Sequence, residues 1–335
     1  MERTAKSLEM ANFVCKFGER NLMDFFKEIV EPAFFTSRKY KLGQSRFFFN
    51  DVELLTLDGG DDEADEFVVA IAGRFIRDIK LTREQYFDSK AQKMIEDQDS
   101  LDSSPSALFV LILNNHRLLY LKETKHAPTL DMFKRTIHRF LKDYTKDYLG
   151  GLAKDEKNSF IKDIGYPELT ITPLTSEESL ENFIRSYSKL EQVRIIVNKR
   201  NDEIDNESFI RALQKQGEEA HSNYTEITHK NTQKGLDKEK VIEQAAAATK
   251  YGNQTIELKG VTDTGEVLKG NNENFKIVTK ISNVTKSVSR AAKKMYNSFK
   301  TSKENGLINV PRTTKTVKKQ LENIILKGDE RNEVE

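Results

Sequence analysis

Tryptophan is absent from this 335-residue sequence, cysteine occurs once and proline only six times. A single cysteine, Cys15, excludes an intramolecular disulfide, which fits a reducing compartment. The five histidines (His116, His126, His138, His221, His229) stand at no zinc-finger spacing, so no bound metal is expected. The longest apolar runs, such as "ALFVLIL", fall far short of the roughly 20 residues that cross a bilayer. "MERTAKSLEMANF" carries charges where a secretory leader needs an apolar core. A cytoplasmic protein with no direct membrane insertion is expected.

Missing too are the glycine-rich phosphate loop, the G-x-S-x-G elbow, the H-E-x-x-H zinc helix, the deaminase signature and the dinucleotide fingerprint. No cofactor is therefore expected. Two constellations remain for an enzyme. Asp51, Glu53 and Glu66 with Lys80 could be drawn as a metal-dependent nuclease, although acids along a hairpin are more often a solvated edge. Cys15 with His116 could be drawn as a nucleophile pair, although Cys15 falls in an expected strand, where a small core residue is the commoner role.

What is present argues for a folded chain. Charged residues make up 32 % and hydrophobic ones 37 %, with twenty Phe and ten Tyr to build cores. The length suits two domains. A loss of periodicity and a Gly pair in "YLGGLAKDEKNSF" divide an N-terminal domain, 1–150, from a second, 151–303, with a helix and tail at 304–335. Each domain reads as α+β, a mostly antiparallel sheet packed by helices. "SLEMANFVCKF" predicts a strand, and Asn21 with Asp24 caps a following helix that Pro32 closes or kinks. "SRFFFNDVELLTL" and "EFVVAIAGRFIRDIK" predict paired strands across an acidic link, "DGGDDEADE". "LTREQYFDSKAQKMI" predicts an amphipathic helix capped by Thr82, and "EDQDSLDSSPS" a loop. "ALFVLIL", "NNHR" and "LLYLKE" predict a hairpin whose Asn pair supplies positive φ. Thr129 opens a helix with Leu130, Phe133, Ile137, Phe140 and Leu141 on one side. Beyond the boundary "PELTITPL", "VRIIVNK", "NYTEITHK", "QTIELKGVTDTGEVL" and "FKIVTKIS" predict strands. They alternate with helices at "TSEESLENFIRSYSKL", capped by Thr175 with Glu178, at "DNESFIRALQKQ" and at "LDKEKVIEQAAAA".

Charge is the strongest signal. From Lys280 to Lys319 there are eleven basic residues and one acid, Glu304, so with a whole-chain net charge of +1 about −9 is left for the other residues. In "KISNVTKSVSRAAKKMYNSFKTSK" the residues Val284, Val288, Ala291 or Ala292, Met295 and Phe299 recur at helical steps, while Lys286, Arg290, Lys293, Asn297 and Lys300 follow the same steps on another face. "TKTVKKQLENIIL" repeats the pattern, with Val317, Leu321, Ile324 and Ile325 inward and Lys315, Lys318 and Lys319 outward. A helix that presents a cation every turn can neutralise phosphates and release counterions. Lys286, Arg290, Lys293, Lys294 and Lys300 are therefore candidate contacts to a nucleic-acid backbone, with Asn283, Ser287 and Asn297 as donors. Arg135, His138, Arg139 and Lys142 on the 129–142 helix are secondary candidates. Solvated surface, pairing with the eight acids between Asp51 and Glu66, and binding to anionic lipid are the competing readings.

The layout resembles the RexA-type phage-exclusion proteins and, more distantly, the DNA-binding B component of the Kiwa antiphage system. The likeness rests on "NLMDFF", "SSPSALFVLILNNHRLLYLKETKHAPTLDMFKRTI", "ELTITPLTSEESL" and "TIELKGVTDTGEVL" followed by the basic helix. It has no counterpart for the acidic turn at 58–66 or the tail after Lys303. The resemblance implies a two-domain cytoplasmic homodimer that binds DNA with little sequence preference. It also implies a role in abortive defence against bacteriophage and signalling to a small membrane-protein partner.

Overall fold

A computed structural model describes residues 5–58, 67–96, 99–198, 208–222, 225–252, 254–311 and 313–332. In chain order the elements are β1 (Lys6–Phe17), β2 (Arg20–Asn21), α1 (Glu31–Phe34), β3 (Tyr40–Leu42), β4 (Ser45–Asp58), β5 (Phe67–Thr82), β6 (Gln85–Asp88), β7 (Lys93–Glu96), β8 (Ser100–Ser103), β9 (Ser106–Ile112) and β10 (Arg117–Lys122). They continue with α2 (Leu130–Gly150), α3 (Lys154–Asp163), β11 (Glu168–Pro173), α4 (Glu177–Arg185), β12 (Lys189–Val197), α5 (Ser208–Glu219), β13 (Thr225–Lys230) and α6 (Lys238–Thr249). The last are β14 (Thr255–Val261), β15 (Val267–Asn271), β16 (Val278–Ile281), α7 (Val288–Glu304) and α8 (Lys315–Asn332). The class is α+β, as the periodicities indicate.

A ten-stranded antiparallel sheet runs β11-β1-β10-β9-β5-β4-β3, with β16 and β2 also on β1 and β8 on β5. Its strands alternate with period two, and both faces are apolar. Phe13, Cys15, Phe17, Ile71, Phe75, Phe109 and Tyr120 face one core, where they meet Phe133, Ile137 and Phe140 of α2. Leu8, Met10, Ala70, Ala72, Val110 and Leu119 face a second core, closed by Val288, Ala291, Ala292, Met295 and Phe299 of α7. A four-stranded sheet, β13-β12-β14-β15, is packed by α4, α5 and α6 around a third core that includes Leu180, Val193, Ile195, Ala245 and Phe275. The chain leaves the large sheet at β11, builds the small one and returns at β16, so strands from both sides of residue 150 share β1 as a neighbour.

Buried polar contacts tie the two sheets together. Arg117, fully buried, donates to Asn12 Oδ1 (2.6 Å), to Asn115 O (3.0 Å) and to Tyr251 O (3.2 Å), which joins β1 and β10 to the turn after α6. Gly252 in that turn has φ +69°, and a Cβ there would lie 2.3 Å from Leu174 Cδ2. Only glycine fits this close approach.

Several expectations are corrected. The residues 81–95 form no helix: β5 runs through Thr82, and a β6–β7 hairpin follows. Asp88 Oδ1 accepts from Lys90 N (2.8 Å) and Ala91 N (3.1 Å), so a side-chain turn overrides helix propensity. The expected loop after it contains β8, whose residue pairing to β5 (Ile79 with Ser103) continues the register of β9 (Ile76 with Ser106). The positive φ of the β9–β10 turn belongs to His116 (+53°) rather than to the Asn pair. The helical run after Asn21 passes through a 3-10 turn (Leu22–Phe25) and a π-helical stretch (Phe26–Val30) into α1, so Pro32 does not close it at once but stands in the first turn of α1, and the run ends two residues later at Phe34. Ser176, not Thr175, caps α4, accepting from Ser179 N at 3.3 Å. The acidic link at 59–66, with Glu66, lies outside the described residues, as does the side chain of Ile325. Among the described residues no helix is long and apolar enough to cross a membrane.

Candidate nucleic-acid interface

The apolar stripe of α7 is fully used against the large sheet, which fixes the rotation of the helix and sends its other face outward. Ala291 and Ala292 leave room for a close approach to the strands, and Ser287 caps the first turn by accepting from Arg290 N (3.4 Å). Because of that cap the helix begins at Val288, and Lys286 sits in the preceding turn. Arg290, Lys293, Lys294 and Asn297 are exposed and Lys300 is partly exposed, all within one arc of the helix. Among the described residues no carboxylate pairs with the side chain of Lys286, Arg290, Lys293, Lys294 or Lys300. Arg290 to Lys300 spans about 15 Å of helix, a length over which a duplex presents about nine phosphate charges.

The start of α7 is held by a residue that the sequence pattern did not single out. Arg74, largely buried on β5, bonds Asp51 Oδ2 (2.6 Å) and Glu123 Oε2 (3.1 Å) and also donates to the carbonyl of Lys286. An arginine after a glycine inside an otherwise apolar strand was the available signal. A cleft of about 600 Å³ opens beside it, lined in part by Lys6, Arg74, Glu123, Asn283, Thr285 and Lys286. Asn283 turns the chain there with φ +54°.

The secondary cations are placed elsewhere. α2 covers the opposite face of the large sheet, so Arg135, His138, Arg139 and Lys142 do not join the α7 row. Arg135 pairs with Asp131 (2.8 Å) and Arg139 with Asp143 (3.0 Å), each one helical turn away. His138 Nε2 lies 2.9 Å from Pro167 O, and partial burial lowers its pKa despite that bond. α8 also packs on this opposite face through Val317, Leu321 and Ile324, so Lys315, Lys318 and Lys319 do not extend the α7 row either.

The catalytic constellations do not assemble. Asp51 is engaged by Arg74, and Glu53 pairs in register with Ala72, eight residues along β5 from Lys80. That is roughly 26 Å of strand. Cys15 is fully buried, and burial pushes its thiol up to about 12. His116 is also buried, and desolvation with Arg117 and Lys16 nearby pushes it down to about 3. This is the reverse of a thiolate–imidazolium pair. Among the described residues no three His, Cys, Asp or Glu side chains group as a metal site.

A family model, DUF4747, a domain of unknown function, matches residues 19–297, and the chain belongs to that family. No curated protein matches it.

Proposed function

We propose that this DUF4747 protein binds the phosphate backbone of duplex DNA through Lys286, Arg290, Lys293, Lys294 and Lys300, with little sequence preference. The observation that carries the reading is the α7 row itself: Arg290, Lys293, Lys294 and Lys300 lie along one arc of an anchored helix, Lys286 stands in the turn before it, and none of the five is neutralised by a described carboxylate. Surface lysines placed only for solubility are commonly interspersed with acids, as on α2. Phosphate contacts position a protein without reading bases, and a lysine-rich row along one arc suits that sequence-independent role. On the resemblance to phage-exclusion proteins, the chain acts in the cytoplasm in antiphage defence, sensing phage nucleic acid and signalling to a partner.

Fluorescence anisotropy with two duplexes of unrelated sequence, over a range of salt, tests this. Equal affinities and a slope of log K on log salt of about −4.5 are expected for five phosphate contacts. Absence of binding at low salt, or a strong preference for one duplex, would overturn the reading.

A further inference from the structure

The four-stranded sheet ends on one side at β13, a six-residue strand whose one partner among the described residues is β12. An open edge of this length is a template for another strand unless something blocks it. The strand "TEITHK" has no proline and no bulge, and from Glu226 to Lys230 all but Ile227 are exposed; its guard is charge, Glu226 and Lys230, which repels a like-charged strand but admits one of complementary charge. Its phase is fixed by Asn231, whose N–H donates to Glu191 O on the β12 side (2.8 Å). By antiparallel alternation Thr225, Ile227 and His229 bond inward to β12. Glu226, Thr228 and Lys230 turn their N–H and C=O groups outward.

We propose that this edge is a homodimer interface, in which β13 pairs antiparallel with β13 of a second copy about a two-fold axis through Thr228. Opposed residues in an antiparallel pair must lie on the same face, so a strand meets its own copy only in registers that join residues of equal parity. The register centred on Thr228 sets Glu226 opposite Lys230 of the second copy, Lys230 opposite Glu226, and Thr228 opposite itself. All three are outward-bonding positions, so the pairing closes six N–H···O bonds and two opposite-charge pairs, and Thr–Thr is itself a favourable cross-strand neighbour. Lys230 has no ion-pair partner among the described residues, and Glu226 shares Arg194 with Glu257. The other edge of the same sheet lacks this property. On β15 the outward-bonding residues are Val267, Lys269 and Asn271, and the equivalent register sets Lys269 against Lys269. The inference rests on the edge alone and is independent of nucleic-acid binding.

Sedimentation velocity of the full chain without nucleic acid, over a concentration series, is the test. The wild type is expected to dimerise, and Lys230→Glu, which sets carboxylates against carboxylates, to weaken dimerisation about tenfold. Thr228→Pro removes an outward N–H and leaves the ladder to β12 intact, so it weakens dimerisation with circular dichroism unchanged. Mixing Lys230→Glu with Glu226→Lys restores opposite charges and yields a heterodimer tighter than the homodimer of either variant. A wild type that stays monomeric, a Lys230→Glu chain that dimerises as well as wild type, or folded variants that fail to combine would each overturn the proposal.

Discussion

The two faces of the large sheet are built from different materials and carry their cations differently. The face under α2 is aromatic: Phe133 alone meets Phe34, Phe49, Phe75, Phe109 and Tyr120 with ring centroids 5.2 to 6.5 Å apart. The face under α7 is aliphatic, with alanines at the helix contact. Outward, α2 offsets its arginines with acids one turn away, whereas α7 has no acid before Glu304. The first arrangement stabilises a helix by itself. The second leaves five positive charges whose mutual repulsion is relieved only by solvent, salt or a polyanion.

Breaking the aromatic face should cost most. Phe133→Ala removes the hub of the ring cluster and is expected to lower stability by about 3–5 kcal/mol, read from urea midpoints. DNA affinity per folded molecule should be unchanged. Acid should act next, through His116. Its folded pKa lies below the unfolded value, so the unfolded chain binds the extra proton, and stability present above about 6.5 is lost as pH falls toward about 3. The expected loss is about 1.4 kcal/mol per pH unit within that window. His116→Asn keeps a residue that tolerates positive φ and should flatten this component in urea titrations at several pH values. Charge reversal of Arg290 and Lys293 should weaken duplex binding by tens of fold at moderate salt, with thermal midpoint unchanged or slightly raised as repulsion is relieved. Reversal of Arg135 and Arg139 should cost only about 0.5–1 kcal/mol for each exposed helical pair, attraction lost and repulsion gained, and leave binding as it was.

Much of this contrast was legible in the sequence, because helical periodicity at Val288, Ala291, Met295 and Phe299 also dictates where Arg290, Lys293 and Lys300 point; Lys286, expected on the same helical stripe, stands instead in the turn before the helix. The strands of the large sheet were legible for the same reason: long apolar runs such as "ALFVLIL" have few other destinations. What stayed hidden depends on partners distant in sequence. "SLDS" becomes β8 because β5 is long enough to recruit it, and residues 85–96 become a hairpin because Asp88 folds its own turn. The opposite placement of α7 and α8 follows from the route of the chain around the large sheet, which local periodicity does not encode. Nor does it encode Arg74, whose carboxylate partners come from β4 and the segment after β10.

The central claim is tested most directly by salt-dependent duplex binding of two charge-reversed proteins measured side by side, Arg290→Glu with Lys293→Glu and Arg135→Glu with Arg139→Glu. The account predicts that the slope of log K on log salt becomes shallower by about 2 for the α7 pair and stays at the wild-type value for the α2 pair. Equal slopes for all three proteins, or a change confined to the α2 pair, would contradict it.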